Sequence, residues 1–189
     1  MTLFTAGSFV VDEFAEAELP ELQALFESNP GYFELVEGAP AEHGAARKTF
    51  ESRPPADMPY TRNWMIGARD AAGALVGFID VVEDLLAPRA WHVAFFIVAG
   101  GVHGRGVGRE IYAALEQWMR GQGARWLRLG VVDGNARAER FWRAQGYAEV
   151  TRKRGVEMGR KTHTVLAMIK PCGGTLEEYL ALVPSDRPE

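Results

Sequence analysis

The run Gly100-Gly101-Val102-His103-Gly104-Arg105-Gly106-Val107-Gly108-Arg109 decides how the rest of the chain is read, and it holds five of the chain's 21 glycines. Upstream lies Ala90 to Ala99, whose alternating positions are apolar on both faces: Val93, Phe95 and Ile97 on one, Ala94, Phe96 and Val98 on the other. That pattern fits a central strand covered on both sides. Downstream, Val107, Ile111, Leu115 and Trp118 recur at helical spacing to about Gln122, with Gly121 and Gly123 to end the helix. A strand that feeds a glycine loop opening into a helix brings successive backbone N–H groups and the positive end of the helix together. A phosphate fits there.

Three nucleotide chemistries use such a corner. A P-loop needs Gly-Lys-Ser/Thr at its end, but here the residues are Gly106-Val107-Gly108, with no lysine for a γ-phosphate and no hydroxyl for magnesium. A dinucleotide loop needs Gly-x-Gly-x-x-Gly, and counting from Gly104 and Gly106 the third glycine falls on Arg109. Asp133 could stand in for the ribose acid, yet only one parallel strand-helix-strand unit is available. A plain tight corner between strand and helix is the bland reading. Acyl-CoA binding is the third chemistry.

Working outward, Phe9 to Phe14 reads as a strand, and Leu19, Leu22, Leu25 and Phe26 as a helix ended by Asn29-Pro30-Gly31. A short helix is expected around Tyr32 to Val36 and another over Ala41 to Ser52, before a rigid loop with Pro54, Pro55 and Pro59. Tyr60 to Arg69 and Leu75 to Val82 flank the turn Asp70 to Gly73, so they pair as antiparallel strands. After the loop helix come a strand at Trp126 to Val132, a helix at Ala136 to Gln145 capped by Asn135, and a strand at Tyr147 to Arg154. A strand at Lys161 to Lys170 and a helix at Thr175 to Leu182 finish the chain. The expectation is one α/β (α+β) domain over 1–189 with a mixed, mostly antiparallel central sheet flanked by helices.

Length and composition agree with a globular domain: 189 residues, 47% hydrophobic and 24% charged. The longest apolar run, Val93 to Ala99, falls far short of the roughly 20 residues a membrane-spanning helix needs. The opening MTLFTAGSF has neither the basic flank nor the apolar run of a signal segment, so secretion is not expected. The single cysteine, Cys172, excludes an intramolecular disulfide and a multi-cysteine metal site, so a reducing cytoplasm is the expected location and no metal is expected. The net charge of −4 conceals an asymmetry. Residues 1–100 carry 6 Lys/Arg against 15 Asp/Glu, residues 101–163 carry 13 against 6, and residues 164–189 carry 2 against 4. The basic block begins at the glycine loop, where an anion is expected.

At these residues the sequence resembles the GCN5-related N-acetyltransferase (GNAT) superfamily, most strongly over 75–150. The family's phosphate loop, Arg/Gln-x-x-Gly-x-Gly/Ala after Val-x-Pro, corresponds to Val98 through Gly108, with Gly100 in place of the proline and His103 in place of Arg or Gln. Its second motif, Asn-x-x-Ala-x-x-Phe-Tyr-x-x-x-Gly-Phe, corresponds to Asn135, Ala138, Phe141, Trp142, Gly146 and Tyr147. The resemblance implies that residues 1–70 shape the acceptor side, 75–150 hold acetyl-CoA, and 151–189 add C-terminal strands and a helix. It further implies that the backbone of Phe96, Ile97 and Val98 meets the pantetheine arm. His103, Gly104, Arg105, Gly106, Val107, Gly108 and Arg109 would hold the pyrophosphate. Arg105, Arg109, Arg140 and Arg143 are candidates for the nucleotide phosphates, and Asn135 and Phe141 for further cofactor contacts.

Acyl transfer to an amine needs a base and a donor that polarises the thioester carbonyl. The resemblance offers His92 as the base, with Glu83, Asp80 and Asp84 as rivals, and the backbone N–H of Val98 as the donor. Trp142 stands where the family usually carries a tyrosine. An indole N–H is not an acid, so it would pack beside the thioester while sulfur leaves as thiolate. Cys172 has no neighbour to make it an acyl nucleophile, so direct attack in a ternary complex is expected. A non-catalytic acyl-CoA-sensing module is the alternative. A nucleic-acid-associated protein, prompted by the basic block, is opposed by the overall pI of 5.7. The expected partners are a small-molecule amine or a peptide N-terminus and, in a homodimer, a second copy of the chain. Neither nucleic acid nor membrane is expected. The acidic first half and the aromatic group Tyr32, Phe33 and Trp64 point to a cationic acceptor with an apolar part.

Overall fold

Strand β5 (Ala90–Val98) is the axis of the molecule, as its two apolar faces require. A computed structural model describes residues 1–188 and arranges eight strands in one sheet, in the order β1-β2-β3-β4-β5-β6-β8-β7. These are β1 (Thr2–Ala6), β2 (Phe9–Glu13), β3 (Arg62–Arg69), β4 (Leu75–Glu83), β5, β6 (Trp126–Val132), β7 (Ala148–Met158) and β8 (Lys161–Pro171). Every neighbouring pair is antiparallel except β5 with β6, which is parallel. The helices are α1 (Leu19–Glu27), α2 (Pro30–Val36), α3 (Ala45–Glu51), α4 (Val107–Gly121), α5 (Ala136–Ala144) and α6 (Leu176–Leu182). None is long and apolar enough to cross a membrane.

Period-2 alternation divides the core in two, shifted by one residue at Ala94 in β5, so that Val93 joins Phe96 and Val98 rather than Phe95 and Ile97 as expected. Ile79, Val81, Trp91, Val93, Leu127 and Leu129 face α4, whose Ile111, Tyr112, Leu115 and Met119 are buried against them. Phe78 and Ile97 face the other way, into a cluster with Leu22, Phe26 and Phe33 of α1 and α2. On that same side, α6 packs Tyr179 over Trp126, Ala167 and Ile169. The two halves of this second face are therefore covered by different helices.

The parallel ladder between β5 and β6 is short. It runs from Ala90↔Trp126 to Val93↔Leu129 and stops. The reason lies in the neighbouring ladder, where Asp80 pairs with Phe95 and Val81 with Val93, leaving Ala94 as an extra residue. A bulge of this kind bends and twists the strand that carries it, and beyond Ala94 the end of β5 parts from β6. Ala94 is exposed although its strand is central.

The structure departs from the sequence reading at several places. Strand β1 was not anticipated, although Thr2-Leu3-Phe4-Thr5 is β-type and Gly7, at φ 55°, supplies the turn into β2. Helix α3 starts at Ala45 rather than Ala41, because Gly44 takes a left-handed conformation at φ 93°. Strand β7 runs on to Met158 rather than ending at Arg154, through an irregularity between Lys153 and Val156.

Candidate active site

Helix α4 opens without a side-chain cap: its N-cap is Gly106, at φ 82°. Gly104 is also left-handed, at φ 77°, and a Cβ at either position would meet only open space. These two glycines are needed for conformation, not for room. The first N–H to find an intrahelical acceptor is that of Glu110, which donates to Gly106 O at 3.0 Å. Those of Val107, Gly108 and Arg109 point outward at the positive end of a 15-residue helix. Around this mouth, Arg105, Arg109 and Arg140 are exposed and make no ion pair with any described residue. Arg143 is instead held by Glu149 at 3.0 Å and Glu139 at 4.0 Å.

Both departures of the loop from the family pattern have a local cause. A Cβ at Gly100 would collide with the carbonyl oxygen of Ser28, and the Gly100 N–H donates to Ser28 Oγ at 3.1 Å. Proline would supply the clash and lose the donor. His103 Nε2 lies 3.0 Å from Val98 O, an acceptor only, so that nitrogen carries the proton. Its Nδ1 is then free to accept from Arg137 at 3.1 Å. A third tether was missed in the sequence: Asn29, 5% exposed, donates to Val98 O at 3.1 Å and Leu25 O at 2.9 Å. Read as a helix terminator, it also ties the end of β5 to α1.

Beside the loop, the edge of β5 is open. The Ala99 N–H donates to Val76 O at 2.9 Å, so alternation turns the N–H groups of Phe96 and Val98 away from β4, toward the side where β6 has parted. The intervening Ile97 directs its own N–H at β4 and buries its side chain under α1, so its N–H does not face the gap. Phe96 stacks on Phe141 with centroids 5.9 Å apart, and Trp142, 7% exposed, stands edge-on to Phe96 at 5.6 Å and to Tyr112 at 5.1 Å. A Cβ at Gly108 would stand 3.8 Å from both Phe96 and Phe141, so this aromatic wall abuts the start of α4. Asn135 caps α5 by accepting from Ala138 N at 3.2 Å; its amide N–H groups are not used in the cap.

The candidate bases fall on different faces. Asp80, 6% exposed, lies with Phe78 and Phe95 on the face of α1 and α2. Asn63 Nδ2 donates to its Oδ1 at 2.6 Å. Burial pushes its carboxyl up to about 6, against the smaller pull of the Asn63 bond and the Arg53 charge. Glu83 lies on the opposite face, where it accepts from Trp64 Nε1 at 3.0 Å. Trp64 packs there on Trp118 and so does not join Tyr32 and Phe33, contrary to the expected aromatic group. Tyr32 and Phe33 do meet Phe95 and Phe26. Asp84 accepts from Thr61 Oγ1 at 2.7 Å and Arg89 N at 2.6 Å, which fixes the turn before β5.

His92 shares the face of Asp80 but is engaged otherwise. The Arg128 guanidinium can only donate, so at 3.2 Å it takes the lone pair of His92 Nδ1 and leaves the proton on Nε2. Burial first, then the Arg128 charge, drives the imidazole down to about 3. Arg128 is in turn forked onto Asp186, at 2.7 and 3.1 Å, which also accepts from the Tyr179 hydroxyl at 2.6 Å and pairs with Lys153 at 3.1 Å. Burial raises the Asp186 carboxyl, but these partners outweigh it and hold the group well below the usual carboxylate range. The base expected at His92 thus has its Nδ1 lone pair engaged by Arg128 and its basicity lowered by burial.

Comparison with known proteins places this geometry. The acetyltransferase (GNAT) family model matches residues 22–147, well over half of the chain. No curated protein sequence matches. Among solved structures, a GCN5-related N-acetyltransferase from Kribbella flavida superposes with a TM-score of 0.66 at 19% identity, covering 89% of this chain and 100% of that one. A ribosomal-protein-S18-alanine N-acetyltransferase from Escherichia coli gives 0.64 at 16%, covering 89% and 97%. A spermidine N-acetyltransferase from Vibrio cholerae, in complex with CoA and spermine, gives 0.66 at 16%, covering 87% and 96%. At such identities the likeness is one of fold; the family match over residues 22–147, which hold the loop and the second motif, carries the assignment. The chain belongs to the GNAT acetyltransferase family.

Proposed function

We propose that this protein transfers the acetyl group of acetyl-CoA to a primary amine by direct attack in a ternary complex. One observation carries the reading: an uncapped helix N-terminus at Gly106 sits beside an open strand edge at Phe96 and Val98. Those are the two kinds of donor that a pyrophosphate and an extended amide arm require. The N–H groups of Val107, Gly108 and Arg109 would hold the pyrophosphate, with His103 and Gly104 shaping the loop and Arg105, Arg109 and Arg140 meeting the outer phosphates. The Phe96 and Val98 N–H groups would bond the pantetheine arm and the thioester oxygen, beside Phe141 and Trp142. Acetyl-CoA, when bound, supplies a thioester whose acetyl carbon the amine attacks and whose sulfur leaves as thiolate.

Asp80 is the base that the geometry favours. At pH 7 about nine-tenths of a carboxyl with a pKa near 6 is ionised, and only Oδ1 is taken by Asn63. Oδ2 can receive a proton from the nitrogen, directly or through water, as the N–C bond forms and the C–S bond breaks. Of the two protons that leave a substrate ammonium, one ends on the CoA sulfur and one in solvent. His92 accepts from Arg128 of β6 instead.

The test is thiol release from acetyl-CoA against a panel of primary amines. Acetylated product confirmed by mass is the expected outcome. The packed, non-acidic Trp142 favours a second reading, an acyl-CoA-sensing module. Tight acetyl-CoA binding with no thiol released by any amine would establish that reading instead.

A further inference from the structure

The β7–β8 hairpin does more than close the sheet. Strand β8 pairs with β6 only from Val165 onward, opposite Val132, so residues 161–164 run past the end of β6 and carry the hairpin tip beyond the gap. The tip comes to rest on α2, which belongs to the other half of the molecule. There it satisfies the last carbonyls of that helix, which a helix C-terminus otherwise leaves unpaired. Lys161 Nζ donates to Glu34 O at 2.8 Å and Leu35 O at 3.1 Å. His163 Nε2, which must carry its proton to face a carbonyl, donates to Val36 O at 2.7 Å, and the Arg160 N–H to Glu37 O at 2.8 Å. Gly159, at φ 57°, lies so close that a Cβ would stand 2.6 Å from Glu37 O. Four successive carbonyls are thus met by one hairpin.

The contact completes a ring. Strand β5 carries α1 and α2 on the Asp80 face, α2 meets the hairpin, and the hairpin returns through β8 to β6, whose edge borders the gap. These elements run round the gap on the face opposite α4, the face on which Tyr32 packs edge-on to Phe95. We propose that this ring is a specificity collar: it admits a primary amine borne on a small, slender molecule and excludes an amine on the surface of a folded protein. The collar acts on the acceptor of the reaction proposed above and rests on that reading.

The experiment presents the same aminoalkyl group in two forms, as a free small amine and tethered by a short linker to a folded carrier protein, and measures acetylation of each by mass spectrometry. Wild type is expected to acetylate the free amine and to leave the carrier at least about 100-fold slower in kcat/KM. Two variants open the collar by different routes: Gly159→Val, whose side chain cannot fit against Glu37, and Lys161→Ala with His163→Ala, which removes three of the four hydrogen bonds. Hydrogen exchange at residues 34–37 reports that the collar has opened, and circular dichroism that the fold persists. Opened variants should keep the free-amine rate within a few-fold and narrow the gap to the carrier at least tenfold. Comparable acetylation of both forms by wild type overturns the collar, and so does an unchanged ratio in variants whose exchange shows α2 released. Silence with every amine, in wild type and variants alike, overturns the transferase reading and takes the collar with it.

Discussion

On the α4 side of the gap, the groups that would grip the pyrophosphate and the pantetheine arm are backbone N–H groups from one continuous stretch, 96–109, with arginine and aromatic side chains around them. On the opposite side, the groups that would surround the acceptor are side chains gathered from β3, β4, β5, α2 and the β7–β8 hairpin. The difference follows from what each side must recognise. A pyrophosphate and an amide arm are met by main-chain donors, which any residue supplies once the backbone has the right turns. A particular amine must be met by particular side chains, held in place by packing. The first side is therefore fixed by a few glycines, and the second by long-range contacts.

The comparison breaks most sharply at Asp80. Asp80→Asn should lower kcat by about 10²- to 10⁴-fold, the usual worth of a general base, while acetyl-CoA affinity in calorimetry stays within a few-fold of wild type. Stability should move the other way. Folded Asp80 holds its proton up to about pH 6, whereas an unfolded Asp loses it near 3.8. The native state thus binds more protons across that window, and this group's contribution to stability falls as pH rises through it. The neutral amide removes the penalty, so the variant should gain about 1–3 kcal/mol at pH 7, read as a higher Tm, with the gain vanishing below about pH 4. A variant that loses activity and stability together would make Asp80 a structural residue.

On the donor side the matching change is Gly106→Glu. A carboxylate at the helix N-terminus would stand where the pyrophosphate belongs, and the left-handed φ of 82° adds strain. Acetyl-CoA affinity should drop by at least about 100-fold, near 2.7 kcal/mol. Retained affinity in calorimetry would remove the loop from the donor site.

A smaller effect is expected at Asn29, where the two sides touch. Asn29→Ala deletes the bonds to Val98 O and Leu25 O, each worth about 0.5–1.5 kcal/mol, and frees the end of β5 from α1. Stability should fall by about 1–2 kcal/mol in urea unfolding, and acetyl-CoA should bind several-fold more weakly. Unchanged affinity would show that the loop holds its shape without that tether.

The same contrast explains what the sequence revealed. The glycine loop, the order of strands and helices from β2 to α6 and the motif from Asn135 to Tyr147 are local patterns, and each was readable from spacing alone or from the resemblance. Asn29 was read only as a stop signal, because its partner Val98 lies 69 residues away. Trp64 was grouped with Tyr32 and Phe33 by residue type, although strand alternation turns it to the other face. The hairpin's grip on α2 joins residues more than 120 apart and left no trace in periodicity. Ala94 also looked like an ordinary core position until the bulge was seen.

The smallest expected effect decides between two bases. His92 and Asp80 lie on the same face, and residue type alone favours the imidazole, whose ordinary pKa near 6.5 suits a base. Their surroundings reverse that order. Arg128 occupies the His92 lone pair and drives the ring down to about 3, while burial lifts Asp80 to about 6. His92→Ala should therefore leave kcat within about threefold, far short of the 10²-fold that loss of a general base costs. It should cost about 1–2 kcal/mol of stability, since Arg128 loses an acceptor. The acid limb of the kcat/KM profile should fall near pH 6 in wild type and stay there in His92→Ala. If that limb moves or vanishes in the His92 variant and survives in Asp80→Asn, the proton goes to the imidazole after all, and Arg128 must swing away when the acceptor binds.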